Sequence, residues 1–147
     1  MKPYRKFKPF QIRWKEAMGD KDDPYLYRWT FLFFNFSIRI HHWIRSDDDR
    51  FFHDHPWNFT SIILKGSYVN VTPKGRFPVK AISFWRSTGE DRHYLEIPKE
   101  GAWTILLCGR PYRKWGFWTK ENKMLRPLTY FHKYGGSAKN KPHEKSA

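Results

Sequence analysis

Two histidines one residue apart, His53 and His55 in "FHDHPWNF", stand at the head of an otherwise apolar run that ends "SIILKG". An extended chain points residues i and i+2 to the same face. The two imidazoles therefore project together. At a rise of about 3.3 Å per residue, both can reach one ion at the metal–nitrogen distance of about 2.0–2.1 Å. Phe51, Trp57, Phe59 and Ser61 share their parity, so the pair faces a largely apolar interior. Burying imidazoles without partners is unfavourable, and a metal satisfies one nitrogen of each.

A third ligand must come from another part of the chain. His93, which follows the "STGED" turn, is one candidate, and His41 in "SIRIHHWIR" is another. On that second segment Ser37, Arg39, His41, Trp43 and Arg45 alternate with Ile38, Ile40, His42 and Ile44. Either set can face the interior. Asp47, Asp48 and Asp49 precede the histidine pair. One of them, or Asp54, can hold a ligand imidazole by its other nitrogen, and Asp49 is also a candidate ligand. Arg45 is the candidate for binding an anionic substrate group, and Thr60 and Ser61 for orienting a ligand or water. His132 and His143 lie in or near a basic tail and read as solvated. Cys108 sits in an apolar strand and reads as a small buried hydrophobe. No Gly-rich phosphate loop, serine nucleophile elbow or Cys-x-x-Cys pair is present.

The elements that must position these groups read as strands. "YLYRWTFLFFNFSIRIHHWIR" is rich in aromatic and β-branched residues and breaks near Asn35. Residues 51–64 form the next strand, ended by Gly66. Further short strands follow in "SYVNVTP", "VKAISFWR", "RHYLEI", "AWTILLCG" and "YRKWGFWT", with Gly, Pro and Asp between them. Such spacing points to a β-sandwich or small barrel. One helical turn is expected over 13–19 and no substantial helix anywhere. The predicted organisation is a basic N-terminal arm over 1–24, a β-barrel domain over 25–134 and a disordered basic tail over 135–147.

Lys and Arg number 28 against 14 Asp and Glu, a formal charge of +14. A surface of that sign attracts nucleic acid or acidic protein partners. The arm interleaves Tyr4, Phe7, Phe10 and Trp14 with its cations, a composition suited to stacking and phosphate contact or simply to packing on the domain. The single cysteine excludes an intrachain disulfide and points to a reducing, cytoplasmic setting. No apolar stretch approaches the roughly 20 residues of a membrane span, so no membrane partner is expected.

"HDHPWNFTSIILKG" resembles the first motif of the cupins, matching it at His53, His55 and Gly66. The glutamate of that motif would fall on Phe59 or Thr60 and is missing. In the second motif "STGEDRH" supplies Gly89 and His93 without the usual proline. A narrower group of small cupin-like proteins, from phages and bacteria, is similar over roughly residues 25–119 through "IHHWIRSDDDRFFHDHPW" and "WTILLCGRPYRKWGF". The resemblance implies an all-β, cupin-type double-stranded β-helix, a jelly-roll barrel with its metal inside, and His93 as the third ligand. Three neutral histidines leave coordination sites open and suit Fe, Mn, Ni or Zn. Two functions follow. One is a metalloenzyme (a non-haem iron dioxygenase, an isomerase or a hydrolase) acting on a small molecule. The other is a non-catalytic module for nucleic acid or a protein partner. A second copy of the chain is a further expected partner. A phage origin would place the protein in the host cytoplasm or the virion.

Overall fold

The computed structural model describes residues 9–20, 22–46 and 51–134. Alternating side chains build a meander first: β1 (Phe10–Asp20), β2 (Asp23–Phe33) and β3 (Phe36–Trp43) pair antiparallel in sequence. The turn between β2 and β3 falls at Phe34 and Asn35, and Phe34 takes a positive φ of 50° there. Residues 10–20 were expected in an arm, with a helical turn over 13–19. They are instead an edge strand of the sheet. Alternation of Phe10, Ile12 and Trp14 with polar residues supplies the strand, and the extra residue at Lys15 is absorbed by a register shift between Arg13 and Glu16. Residues 1–8 and the predicted tail lie outside the described residues.

β4 (Phe52–His53) is only two residues long, and β5 (Phe59–Thr72) follows it. The predicted single strand over 51–64 is thus interrupted, because Pro56 has no N–H to give to a ladder. Nor does Gly66 end β5. A register shift between Ile63 and Lys65 bends the strand, and Gly66 continues it with a φ of 81°. A Cβ there would stand 2.3 Å from the Gly101 carbonyl oxygen. The bend lets one strand serve two sets of neighbours. Its first half pairs with β7 (Phe84–Ser87) and β9 (Ala102–Cys108). Its second half pairs with β6 (Gly75–Lys80) and β8 (Tyr94–Glu96).

β9 also pairs with β3, which gives the order β1-β2-β3-β9-β5-β6. β10 (Phe117–Trp118) joins β4 to β11 (Met124–Leu125) in a small second sheet. The strand expected over "YRKWGFWT" shrinks to β10, since residues 109–116 run as a loop. One short helix, α1 (Pro127–Tyr134), which sequence patterning did not anticipate, stacks Tyr130 on Phe117 at 3.7 Å between ring centres.

The apolar core gathers at one end, where Leu26, Trp43, Ile63, Tyr68, Val79, Ile97 and Ala102 meet. Ile63 is 1% exposed. Ile63→Ala is expected to cost about 2–5 kcal/mol in denaturant melts, with metal affinity of the folded fraction unchanged.

Candidate metal centre

His53 and His93 face each other across two backbone hydrogen bonds. The His53 amide donates to the His93 carbonyl at 3.0 Å and the His93 amide donates back at 2.9 Å. This antiparallel pairing puts both side chains on one face. The next amides alternate sides. Asp54 N–H reaches the Gly116 carbonyl at 3.1 Å, and His55 N–H reaches the Gly89 carbonyl at 3.1 Å. The chain thus stays extended past the end of β4, and His53 and His55 share a face as their spacing predicts. Pro56, next on the Gly116 side, accepts from Tyr112 N–H at 2.8 Å instead of donating.

Asp54 takes the opposite parity and is fully buried. Its carboxylate accepts from Gly116 N–H at 2.7 Å, Arg113 Nη1 at 2.8 Å and Trp118 Nε1 at 2.9 Å. A charge with this many donors is compensated. Asp54 therefore anchors the segment from behind, and among the described residues its carboxylate bonds to Arg113, Gly116 and Trp118 and not to His53, His55 or His93. Nothing in the sequence singled out Arg113, Gly116 and Trp118 as its partners, because they lie about sixty residues away.

The three imidazoles form a near-equilateral cluster, with ring centres 5.1, 4.9 and 5.1 Å apart. One ligating nitrogen from each lies within 4.8 Å of the others. His55 Nε2 and His93 Nε2 are 2.9 Å apart. Two nitrogens bound at right angles to one ion, each at about 2.0–2.1 Å, would be separated by about the same distance. His93 Nδ1 lies 2.7 Å from Asn70 Oδ1. With its proton directed to that oxygen, His93 turns a lone pair at Nε2 toward the cluster. Burial first, and then the neighbouring imidazoles, hold His55 and His93 well below the usual histidine range. Both are neutral, as ligands must be. The residues fit a divalent metal.

The cluster lines a small chamber of about 90 Å³. His41, Ser61, Tyr68, Asn70 and Thr104 line it too, beside Phe59, Trp43 and Leu106. His41 is therefore at the site, although outside the converging trio. Both of its ring nitrogens, Thr104 Oγ1 and Asn70 Nδ2 are buried without a hydrogen-bond partner among the described residues. Tyr68 donates to Ser61 Oγ at 3.2 Å. The face of β3 that turns inward is thus the polar one: Ser37, Arg39, His41 and Trp43. Arg39 stacks its guanidinium over Trp57 at 4.2 Å, and burial pulls it down to about 10.

Two of the expected residues lie away from the chamber. Arg45 lies beyond β3, where it meets the Asp23 carboxylate at 3.3 Å and the Tyr25 ring, away from the chamber. Arg39, six residues earlier and of the same parity, is the cation on the inward face of β3. Thr60 has the opposite parity to Phe59 and Ser61 and lines a shallow outer recess with Arg86 and Leu107. Ser61 is the hydroxyl that reaches the chamber. Asp47, Asp48 and Asp49 lie outside the described residues. Asn70 was missed, yet a polar residue inside "YVNVT" is a readable signal for a buried partner.

A larger hollow of about 490 Å³ adjoins the chamber and shares Asn70, Trp85 and His93 with it. Lys74, Phe77, Glu90, Asp91 and Arg92 line the rest of its wall and rim.

No protein-family model matches the chain, and no curated protein does. Solved structures match it in three dimensions. AerE from Microcystis aeruginosa superposes with a TM-score of 0.54 at 14% identity, over 73% of this chain and 50% of that one. Fe(II) HppE does so at 0.55 and 10%, over 68% and 56%. An RmlC-like cupin from Shewanella frigidimarina gives 0.53 and 11%, over 72% and 96%. The fold is the cupin jelly roll. This cupin-fold chain spans about half the length of the first two proteins and nearly all of the third.

Two outcomes follow from the geometry. Asn70→Ala removes the group that orients His93 and should weaken metal binding about 10–100-fold in competition titrations, without changing the ligand count. The second concerns acid. Burial and the nearby cations Arg28 and Arg39 push His41 down to about 3. Below pH 6.5 the unfolded chain therefore takes up a proton that the folded chain refuses. The stability tied to His41 is complete above pH 6.5 and is lost as pH falls from there toward 3. In metal-free protein, His41→Phe should flatten the pH dependence of unfolding free energy by up to about 1.4 kcal/mol per pH unit across that window.

Proposed function

We propose that this chain is a metal-dependent cupin enzyme acting on a small molecule, with His53, His55 and His93 holding one divalent ion. The observation that carries this reading is the meeting of the histidine cluster with a hollow of about 490 Å³ at His93. That volume suits a metabolite-sized ligand, and a merely structural ion needs no such space beside it. When bound, the ion would polarise a coordinated carbonyl or acidify a coordinated water. The chain's own groups do the rest. Trp85 and Phe77 offer apolar walls, while Lys74 and Glu90 at the rim favour a charged or zwitterionic substrate. His41 and Thr104 offer hydrogen-bonding atoms that no described residue uses, placed to orient a ligand in the chamber. Iron is the first metal to test, since Fe(II) HppE shares the fold, with Mn, Ni and Zn as the other candidates. A dioxygenase is accordingly the first reaction class to test, ahead of isomerase and hydrolase.

The second reading is a non-catalytic module that binds nucleic acid or an acidic partner, and the net charge of +14 favours it. The two separate experimentally. Metal-free protein should take up one equivalent of Fe(II), Mn(II), Ni(II) or Zn(II) by anaerobic titration. His53→Ala and His93→Ala should lose that binding while keeping the native far-UV spectrum. Crystals of the loaded protein soaked in metabolite extract should then show density in the hollow beside His93. Stoichiometric metal in His53→Ala would remove the metal assignment. Metal without any ligand, in a protein that binds nucleic acid independently of the ion, would leave the module.

A further inference from the structure

The sheet made by β1, β2, β3, β9, β5 and β7 has its polarity reversed. Its concave side carries Arg39, His41, Ser61 and Thr104. Its outer side is apolar in register. Ile12, Phe31, Ile38 and Leu107 form one cross-strand row. Trp29, Ile40, Ile105, Ile62 and Phe84 form the next. Phe10, Phe33 and Phe36 lie in the row beyond the first, and Trp14 packs edge-on against Trp29 at 6.5 Å. Among the described residues, cations reach this face at its edges: Arg86 on β7, Lys65 in the row beyond the second, Lys15 over the Tyr27 ring at 5.2 Å and Arg110 over the Phe36 ring at 5.4 Å.

These side chains are truly exposed. Trp14 is 72% exposed, Phe84 69%, Phe33 59% and Ile38 48%. With about 150–250 Å² for an aromatic side chain, the exposed members together present on the order of 1,000 Å². A monomer's largest apolar patch is typically about 300–600 Å². A stable interface buries about 800 Å² on each partner.

We propose that this outer sheet face is covered by the same face of a second copy of the chain. Area is the first argument, since the patch matches one half of a homodimer interface. The second is self-complementarity. A two-fold contact brings identical patches together, and here the apolar rows would meet at the centre while Lys15, Lys65, Arg86 and Arg110 stay at the rim, the apolar core and polar rim of a stable interface. Two such sheets can pack face to face at about 10 Å. A polyanionic partner would be held by cations, whereas the centre of this face is apolar. The composition of the terminal residues suits this face less well than a second copy does. Residues 135–147, "GGSAKNKPHEKSA", hold no large apolar side chain, and residues 1–8 hold only Met1, Tyr4 and Phe7. The inference does not depend on the metal reading.

The test is sedimentation equilibrium on the full chain, with Ile38→Lys, Leu107→Lys and Leu128→Lys as variants. Ile38 and Leu107 are 48% and 44% exposed, and Leu128, on α1 off this face, is 85% exposed, so all three should fold with native far-UV spectra. The native chain should sediment at twice 18.0 kDa. Ile38→Lys and Leu107→Lys should weaken association roughly 100-fold, and Leu128→Lys should not. A native chain that stays monomeric up to crystallisation concentrations would overturn the proposal. So would dimers that survive both face variants. Monomers that bind anionic lipid vesicles through Ile38 and Leu107 would give the face to a membrane surface instead.

Discussion

The buried carboxylate of Asp54 is the constraint on which the centre rests. The segment from His53 to Trp57 lies almost wholly outside regular strand, and a loop of that kind would not by itself hold two imidazoles at fixed separation. Asp54 removes the freedom. Its side chain accepts from Arg113, Gly116 and Trp118, and its own N–H donates to the Gly116 carbonyl. Arg113 extends the clamp by donating to the carbonyls of His55 and Gly89. The loop 109–116 is thereby tied to the ligand segment on one side and to the turn that precedes His93 on the other. All three imidazoles are positioned by backbone that this one charge network organises. Its cost is the burial of an ion, which is repaid only because every donor is in place.

Gly89 and Gly116 follow from the same constraint. A Cβ on Gly116 would stand 2.2 Å from the Leu125 carbonyl oxygen, and one on Gly89 would stand 2.8 Å from the His55 carbonyl oxygen. Backbone approaches that close are what allow Asp54 and Arg113 to reach their partners. The stretches "HDHPW" and "GRPYRKWGF" are therefore two halves of one network.

The alternation of residues made the common face of His53 and His55 legible, and the strand-rich pattern made the all-β fold legible. Both depend on local geometry, which sequence spacing encodes directly. His93 emerged from the resemblance and from its place after a turn, whereas its hydrogen bond to Asn70 needed the fold. What was not legible is long-range. The Asp54–Arg113 pairing, the bend at Gly66 and the recruitment of residues 10–20 into the sheet are decided by partners far along the chain. Arg45 and Thr60 lie off the chamber for a simpler reason. Their proximity in sequence to the histidines suggested proximity in space, but Arg45 lies past the end of its strand and Thr60 has the wrong parity.

The inward face of β3 was left open by the sequence because one set of side chains carries His41 and Trp43 and the other carries the isoleucines and His42. Hydrophobic burial alone would turn Ile38, Ile40 and Ile44 inward. The structure turns Ser37, Arg39 and His41 inward, and the isoleucines outward. Burying an arginine, and an imidazole whose nitrogens have no partner among the described residues, costs free energy that the apolar core must offset. A barrel stabilised only by its own packing would have no reason to accept this arrangement. It makes sense if the polar atoms meet a ligand in the chamber and the isoleucines meet another surface outside. The reversed polarity of one strand thus links the two proposals. The groups that weaken the isolated chain on both sides of β3 are the groups available for binding.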